Sequence, residues 1–145
     1  MKRASTSPYP SKYKEILLRS PLKVRTIIVM GSRARGDWKP WSDVDILVVA
    51  ENLPKGWLRS DVLQVIDDTV IKAEIEVRGF TPDEFLKLLE ELSLTALDAM
   101  NEGVVVYDDG YWKEAKARFE EVKKTYKLRR IDIGWEALKT PLELD

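Results

Sequence analysis

The feature that most constrains this chain is a polar segment, residues 31–43, that lies between two apolar runs. The first run, Val24–Met30, is rich in β-branched residues and predicts a buried strand. The second strand is predicted over Asp43–Ala50, which is fully apolar from Ile46 onward. Glycine, proline and charged residues punctuate the segment between them, as in a loop. Any fold of this chain must therefore present a polar loop at the ends of two buried strands.

Helical and strand patterns alternate along the rest of the chain. Apolar spacing predicts helices over Ser11–Ser20 and Trp57–Asp68, and period-two alternation predicts a strand over Val70–Arg78. Strand Val104–Tyr107 and a helix with an apolar stripe from Trp112 to Tyr126 complete the pattern. No clear period follows in residues 131–145. The order predicts the α+β (α/β) class, with a single domain over residues 1–145.

The start of the third helix is marked by an unusually complete set of signals. Thr81, Pro82 and Glu84 form a predicted capping box with proline at the first helical position, and Phe80 and Phe85 occupy the hydrophobic-staple positions. The leucine pattern predicts one continuous helix that ends at Gly103, a favourable residue just after a helix.

The composition excludes several chemistries. The chain has 24 Lys and Arg against 25 Asp and Glu, and it contains no His and no Cys. Thiolate nucleophiles, Cys-ligated zinc and every Ser-His-Asp arrangement are therefore excluded. Catalysis must depend on carboxylates, hydroxyls, cationic side chains, backbone amides or a hard metal ion bound by oxygen.

Sequence signals for export and for membrane insertion are both missing. Residues 1–10 have no apolar core of a signal peptide, and no apolar run approaches the ~20 residues of a bilayer span. We expect a cytoplasmic protein with no membrane partner. The basic stretch 112–130 is interleaved with glutamates, which favours a solvated helix face over a nucleic-acid surface.

The chemistry is predicted at the polar segment. Asp43 and Asp45 are two residues apart on a strand, so both carboxylates point to one face, roughly 6.6–6.8 Å apart. Such a pair suits an oxygen-seeking cation such as Mg²⁺. Gly31 would let a phosphate approach the backbone, and Ser32 adds a hydroxyl and an amide donor. Arg33 and Arg35 could neutralise the remaining phosphate charge.

The same segment resembles a known family motif. Gly-Ser-x-Ala-Arg-Gly-x5-Ser-Asp-x-Asp, over residues 31–45, is similar to the motif of the DNA polymerase β-like nucleotidyltransferases. The closest resemblance is to their minimal nucleotidyltransferase (MNT) domains, of the MntA-type antitoxin branch, and it covers about residues 12–110. The helix and tail over 111–145 resemble nothing that we can assign. The resemblance implies the polymerase-β-like fold, a small mixed sheet of about four strands flanked by helices.

The resemblance also implies a third carboxylate on a neighbouring strand. Glu74 and Glu76 share the wet face of the predicted strand, and the spacing back from Thr81-Pro82 favours Glu76. The family more often has Asp at this position, so this chain departs from the pattern. The alternative is that both glutamates face solvent and pair with Lys72 and Arg78.

The resemblance to this family also implies an activity for the chain. The resemblance implies that two Mg²⁺ ions are held by Asp43, Asp45 and Glu76. It further implies that ATP is bound through Gly31, Ser32, Arg35 and Ser42. AMP would be transferred to a hydroxyl, and the acceptor that this branch implies is a tyrosine of a HEPN-type ribonuclease toxin. The alternatives are a small-molecule acceptor, or a catalytically weak or inactive antitoxin that acts by occlusion. The chain could also form a homo- or hetero-oligomer. Trp38, Trp41 and Trp135 could anchor a partner or a base, or could fold back onto the core.

Overall fold

The structure is a computed structural model, and it describes residues 8–31, 36, 44–68, 75–132 and 134–139. Within these ranges the helices are α1 (Pro8–Arg19), α2 (Trp57–Asp68), α3 (Pro82–Glu90), α4 (Leu94–Glu102) and α5 (Tyr111–Tyr126). The strands are β1 (Val24–Met30), β2 (Val44–Ala50), β3 (Ile75–Phe80), β4 (Val104–Asp108), β5 (Leu128–Arg130) and β6 (Trp135–Ala137). None of the helices in the described ranges has both the length and the apolar composition needed to cross a bilayer.

Four strands form one mixed sheet in the order β3-β2-β1-β4. β1 runs antiparallel to both β2 and β4, whereas β2 and β3 are parallel and are connected through α2. The predicted class, a small mixed sheet flanked by helices, is confirmed. The parallel pair is the important one for function, because it places the starts of β2 and β3 side by side.

Both faces of the two central strands are covered, as their continuous apolar runs require. Ile27 and Val48 belong to a cluster with Tyr13 and Leu17 of α1 and with Leu63 of α2. The alternate residues of the same strands, including Ile28, Leu47 and Val49, pack with α3, α4 and α5. Asp45 precedes Leu47 and Val49 at the same alternation, so it lies on the α4 face of the sheet.

The single helix predicted from Thr81 to Gly103 is wrong, because the chain forms two helices. Leu92 adopts a left-handed conformation with φ of 60°, and the amides of Leu92 and Ser93 donate to Leu89 and Leu88. Phe85 and Leu89 of α3 and Leu97 of α4 are all buried in one cluster. The turn lets both helices contact the same face of the sheet, and a pattern of leucine spacing does not reveal such a break.

Gly103 also has a different role from the one predicted. Its φ of −66° is an ordinary value, so it is not a left-handed cap. A Cβ there would lie 2.4 Å from the carbonyl oxygen of Ala99 and 2.5 Å from Cγ2 of Ile28. Glycine is needed because the end of α4 and β1 approach each other closely.

The predicted capping of α3 is confirmed. Thr81 Oγ1 accepts from the Glu84 amide, and Glu84 Oε1 accepts from the Thr81 amide at 2.9 Å. The Phe80 and Phe85 rings of the staple are 6.3 Å apart. Arg59 of α2 donates to both carboxylate oxygens of Glu84 and to the Gly79 carbonyl, so the cap also connects α2 to β3.

Glu84 makes part of the stability dependent on pH. The hydrogen bond from Arg59 is the main reason that the pKa of Glu84 is held below its ordinary value near 4.5, with the Thr81 amide acting in the same direction. A depressed pKa in the folded state stabilises the protein above the unfolded pKa, and this contribution is lost as pH falls through the folded pKa. We expect Glu84→Gln to cost about 1 kcal/mol near neutral pH, because the side chain is partly exposed. This loss of unfolding free energy should become smaller as the pH falls through the folded-state pKa of Glu84.

Urea unfolding of Glu84→Gln and the unmodified chain at about pH 7 and about pH 3 measures this difference. Glu91→Gln, an exposed glutamate at the other end of α3, is the matched control. A difference between Glu84→Gln and the unmodified chain that is the same at both pH values would contradict this assignment.

The tail contains a hairpin that the sequence pattern does not predict. β5 and β6 pair antiparallel, with Arg130 opposite Trp135. Each strand has three residues, too few for an alternation to be recognised. Trp135 folds back against Phe119 of α5, with ring centroids 6.0 Å apart in an edge-to-face arrangement.

Candidate functional site

A pocket of about 160 Å³ lies where the end of β1 meets the starts of β2 and β3, with α4 across it. Its lining residues come from all four elements: Met30, Gly31, Asp45, Ile46, Glu76, Arg78, Asp98 and Glu102. Three predicted site residues, Gly31, Asp45 and Glu76, are therefore brought together. Among the described residues, the lining contains four carboxylates and one guanidinium, so this part of the pocket is acidic.

Asp45 and Glu76 are direct neighbours across the parallel pair. The register matches Asp45 with Glu76 and, on the other side, Met30 of β1 with Asp45. Neighbouring strands lie about 4.8 Å apart, so two side chains at one register position on one face are close. The structure therefore places Glu76 beside Asp45, and its role as a third metal ligand stays a prediction.

The backbone of Gly31 lies close to the Asp45 carboxylate. Its φ is 67°, and a Cβ built on it would lie 2.4 Å from Asp45 Oδ2. Two independent requirements therefore select glycine here, the left-handed backbone and the space that the carboxylate occupies. The turn after β1 and the Asp45 carboxylate form one packed unit at the edge of the pocket.

Glu76 has a second neighbour within the pocket. Arg78 Nη2 donates to Glu76 Oε1 at 3.0 Å, and both side chains are about half exposed, at 52% and 54%. Arg78 Nη1 also lies 3.4 Å from Thr95 Oγ1 of α4. The arrangement thus contains elements of both alternatives, because Glu76 adjoins Asp45 and also pairs with Arg78, the partner that the solvent-facing interpretation named.

Two acids of α4 were missed by the sequence reasoning. Asp98 and Glu102 are one helical turn apart and line the pocket opposite the sheet. Asp98 Oδ1 accepts from the indole nitrogen of Trp135 at 2.9 Å. Acids with this spacing on an amphipathic helix are typical of a solvated face, so only the tertiary arrangement identifies them.

Several predicted site residues lie outside the described residues: Ser32, Arg33, Arg35, Trp38, Trp41, Ser42, Asp43 and Glu74. Within the described ranges no group of three or more Asp or Glu side chains is placed to hold a metal ion. Asp43, the third member of the predicted set, stays a prediction. In the sequence it directly precedes β2.

The described donors nevertheless suit a hard cation. Asp45 and Glu76 offer carboxylate oxygens from adjacent strands, which is the donor type that Mg²⁺ prefers. Arg78 contributes the one positive charge of the described lining, beside Glu76. It can therefore oppose a bound cation or attract an anion, depending on which occupies the pocket.

Replacing Arg78 by Gln should strengthen divalent-cation binding. A unit positive charge about 5 Å from a divalent ion in a water-like medium weakens its binding by about 1.7 kcal/mol, or about tenfold to twentyfold. Titration with Mn²⁺ as the probe, followed by calorimetry or electron paramagnetic resonance, measures the affinity. Arg118→Gln is the matched control, since Arg118 pairs with Glu90 between α5 and α3. Weaker Mn²⁺ binding by Arg78→Gln would be incompatible with this electrostatic role.

Comparisons of sequence identify relatives. The model of the nucleotidyltransferase domain matches residues 10–138. A Methanocaldococcus jannaschii protein that carries the provisional name protein adenylyltransferase is 35% identical over 113 residues, which are 74% of this chain and 75% of that protein. Because the family model extends to residue 138, it includes the hairpin of β5 and β6.

Solved structures share the fold at low sequence identity. A chain of a toxin–antitoxin crystal structure with AMP-PNP aligns with a TM-score of 0.58 and 16% identity, over 81% of this chain and 86% of that chain. A chain of the toxin–antitoxin MntA–HepT structure aligns with a TM-score of 0.52 and 14% identity, over 82% and 85%. These likenesses establish the shared architecture.

Proposed function

The chain belongs to the nucleotidyltransferase domain family, and we propose that it transfers AMP from ATP, with Mg²⁺, to a tyrosine hydroxyl of a HEPN-type ribonuclease toxin. It is a nucleotidyltransferase, and the relative named as a protein adenylyltransferase supports AMP as the transferred group and protein as the acceptor. The folds shared with toxin–antitoxin structures, one of them with AMP-PNP, support a role as the antitoxin.

One observation carries the proposal: the Asp45 carboxylate lies against the Gly31 turn and beside Glu76 at the same register position. A backbone turn that can approach a phosphate thereby adjoins oxygen donors that can hold a cation. Nucleotidyl transfer requires this juxtaposition, because the cation must neutralise the phosphates that the turn positions.

The predicted site residues have three roles in this reaction: they bind the metal ions, bind the phosphates and accept a proton. Asp43 and Asp45 would hold Mg²⁺ on the triphosphate, with Glu76 completing the site for a second ion, and bound Mg²⁺ would neutralise phosphate charge. Gly31, Ser32, Arg35 and Ser42 would hold the phosphates of ATP. The acceptor oxygen bonds to the α-phosphorus, the bond to the bridging oxygen breaks, and pyrophosphate leaves. Glu76 accepts the hydroxyl proton.

The decisive experiment is a transfer assay. The purified chain is incubated with Mg²⁺, ATP labelled at the α-phosphate, and the protein encoded beside it in its genome. We expect label on a tyrosine of that protein, and none with the Asp43→Ala/Asp45→Ala double variant. Equal labelling by the variant and the unmodified chain, or labelling of neither, would refute the proposal. Label on a small molecule would instead identify the alternative acceptor.

A second candidate function follows from the Glu76–Arg78 ion pair. A glutamate that is paired with a guanidinium would be a poor metal ligand, and transfer would then be weak. The alternative function is therefore an antitoxin that binds the toxin and inhibits it by occlusion. The double variant separates the two functions. Full neutralisation of the toxin by Asp43→Ala/Asp45→Ala would favour occlusion, and loss of neutralisation would favour AMP transfer.

A further inference from the structure

The C-terminal hairpin reaches the wall of the pocket through one side chain. Trp135 of β6 donates its indole N–H to Asp98 of α4 at 2.9 Å, across 37 residues of sequence. Asp98 lines the pocket opposite the sheet positions of Asp45 and Glu76. A segment without a recognisable sequence pattern is thus connected directly to the acidic pocket.

The Trp135 side chain is itself held in place. Its ring packs edge-to-face on Phe119, a buried residue of α5. β6 is paired with β5, and the amide of Lys139, just beyond β6, donates to the carbonyl of Tyr126 at the end of α5. A donor fixed by packing and by backbone hydrogen bonds can fix the rotamer of its acceptor.

The size of the pocket indicates which part of the reaction Asp98 faces. The volume is about 160 Å³, whereas pockets that enclose a whole drug-sized ligand have volumes of roughly 300–1,000 Å³. The described part of the pocket thus has room for a phosphate group or a hydroxyl. A change in the orientation of Asp98 should therefore alter the rate of the chemical step more than the binding of ATP.

We propose that Trp135 is a positioning residue that holds the Asp98 carboxylate on the pocket wall, so that the hairpin helps to define the reacting centre. The inference rests on the proposed AMP transfer for its kinetic consequence. The Asp98 charge is required at a fixed place, because a carboxylate that rotates freely changes the electrostatic field at Glu76 and Arg78.

Two conservative substitutions separate the hydrogen bond from the charge. Trp135→Phe keeps an aromatic ring on Phe119 but removes the donor, and Asp98→Asn keeps an acceptor oxygen but removes the charge. We expect each to lower kcat about tenfold, the size typical of a hydrogen bond to a charged group, with the KM for ATP unchanged. The double variant should be no worse than either single variant, because both act through the same carboxylate.

Trp112→Phe is the matched control. Trp112 packs on Phe85 with ring centroids 5.4 Å apart and is absent from the described lining of the pocket. Its kcat should equal that of the unmodified chain. Three results would overturn the proposal. The first is a wild-type kcat in Trp135→Phe or Asp98→Asn, and the second is an equal loss of kcat in Trp112→Phe. The third is a double variant whose fold-loss in kcat equals the two single fold-losses multiplied together.

A spectroscopic readout makes the inference testable without turnover. In the nitrogen-15 NMR spectrum, the Trp135 indole signal is assigned from its loss in Trp135→Phe. We expect it to move when Mg²⁺ and AMP-PNP are added and the Trp112 signal to stay. If the unmodified chain transfers no AMP but the Trp135 signal moves, the proposed function fails and the positioning role stands. An unmoved signal in an active enzyme would overturn the positioning role alone.

Discussion

Replacing Asp45 by Asn is expected to lower AMP transfer by on the order of a thousandfold, which corresponds to about 4 kcal/mol of transition-state stabilisation. Asp45 has three neighbours at the site: Met30 and Glu76 lie opposite it on the adjacent strands, and its carboxylate contacts the Gly31 turn. The amide keeps the size of the carboxylate but loses its charge, so cation binding should fail while the sheet stays intact.

The measurement is initial-rate AMP transfer, together with Mn²⁺ affinity and thermal unfolding. Asp83→Asn, an exposed aspartate in the first turn of α3, is the control for the substitution type and should keep the wild-type rate. Loss of transfer by Asp45→Asn accompanied by loss of the folded state would assign the residue to stability. Retained transfer would exclude it from the metal site.

Replacing Gly31 by Ala is expected to lower transfer about a hundredfold, with a loss of about 1–2 kcal/mol in unfolding free energy. The stability loss arises from φ of 67°, which disfavours any residue with a Cβ. The activity loss has a separate cause. The new methyl group would overlap Asp45 Oδ2, so the carboxylate must move out of its place at the edge of the pocket.

Gly56 provides an unusually close control for this prediction. Its φ is 66°, and a Cβ built on it meets nothing within 4 Å. Gly56→Ala should therefore show the same backbone cost in urea unfolding and full transferase activity. If both alanine variants lose activity equally, strain and not the Asp45 contact explains the effect.

Much of the fold could be predicted because its signals are local. The bounds of β1 and of α2 agree with the predicted Val24–Met30 and Trp57–Asp68. The Thr81 capping box was also predicted, since all its members lie within four consecutive residues. Hydrophobic runs and caps encode local structure directly, so no tertiary information was required.

The features that escaped prediction depend on contacts between distant residues. Leu92 adopts a left-handed conformation so that α3 and α4 both reach the sheet, although leucine has no local preference for it. The Trp135–Asp98 contact joins the tail to α4, and neither residue type reveals its partner. In the candidate site, strand alternation placed both Glu74 and Glu76 on one face, and the family resemblance, with the spacing back from Thr81-Pro82, favoured Glu76. Its pairing with Arg78 was foreseen only as the alternative.

The parallel pairing of β2 and β3 has a consequence for folding kinetics. β1 and β2 are antiparallel, but β3 can join β2 only after the connection that contains α2 has crossed the sheet. Closing this longer loop is slower than forming an antiparallel pair. Asp45 and Glu76 therefore become neighbours late, and their mutual repulsion opposes the step that unites them. Because the ion-binding site exists only when the sheet is complete, divalent cations should slow unfolding and leave the folding rate nearly unchanged.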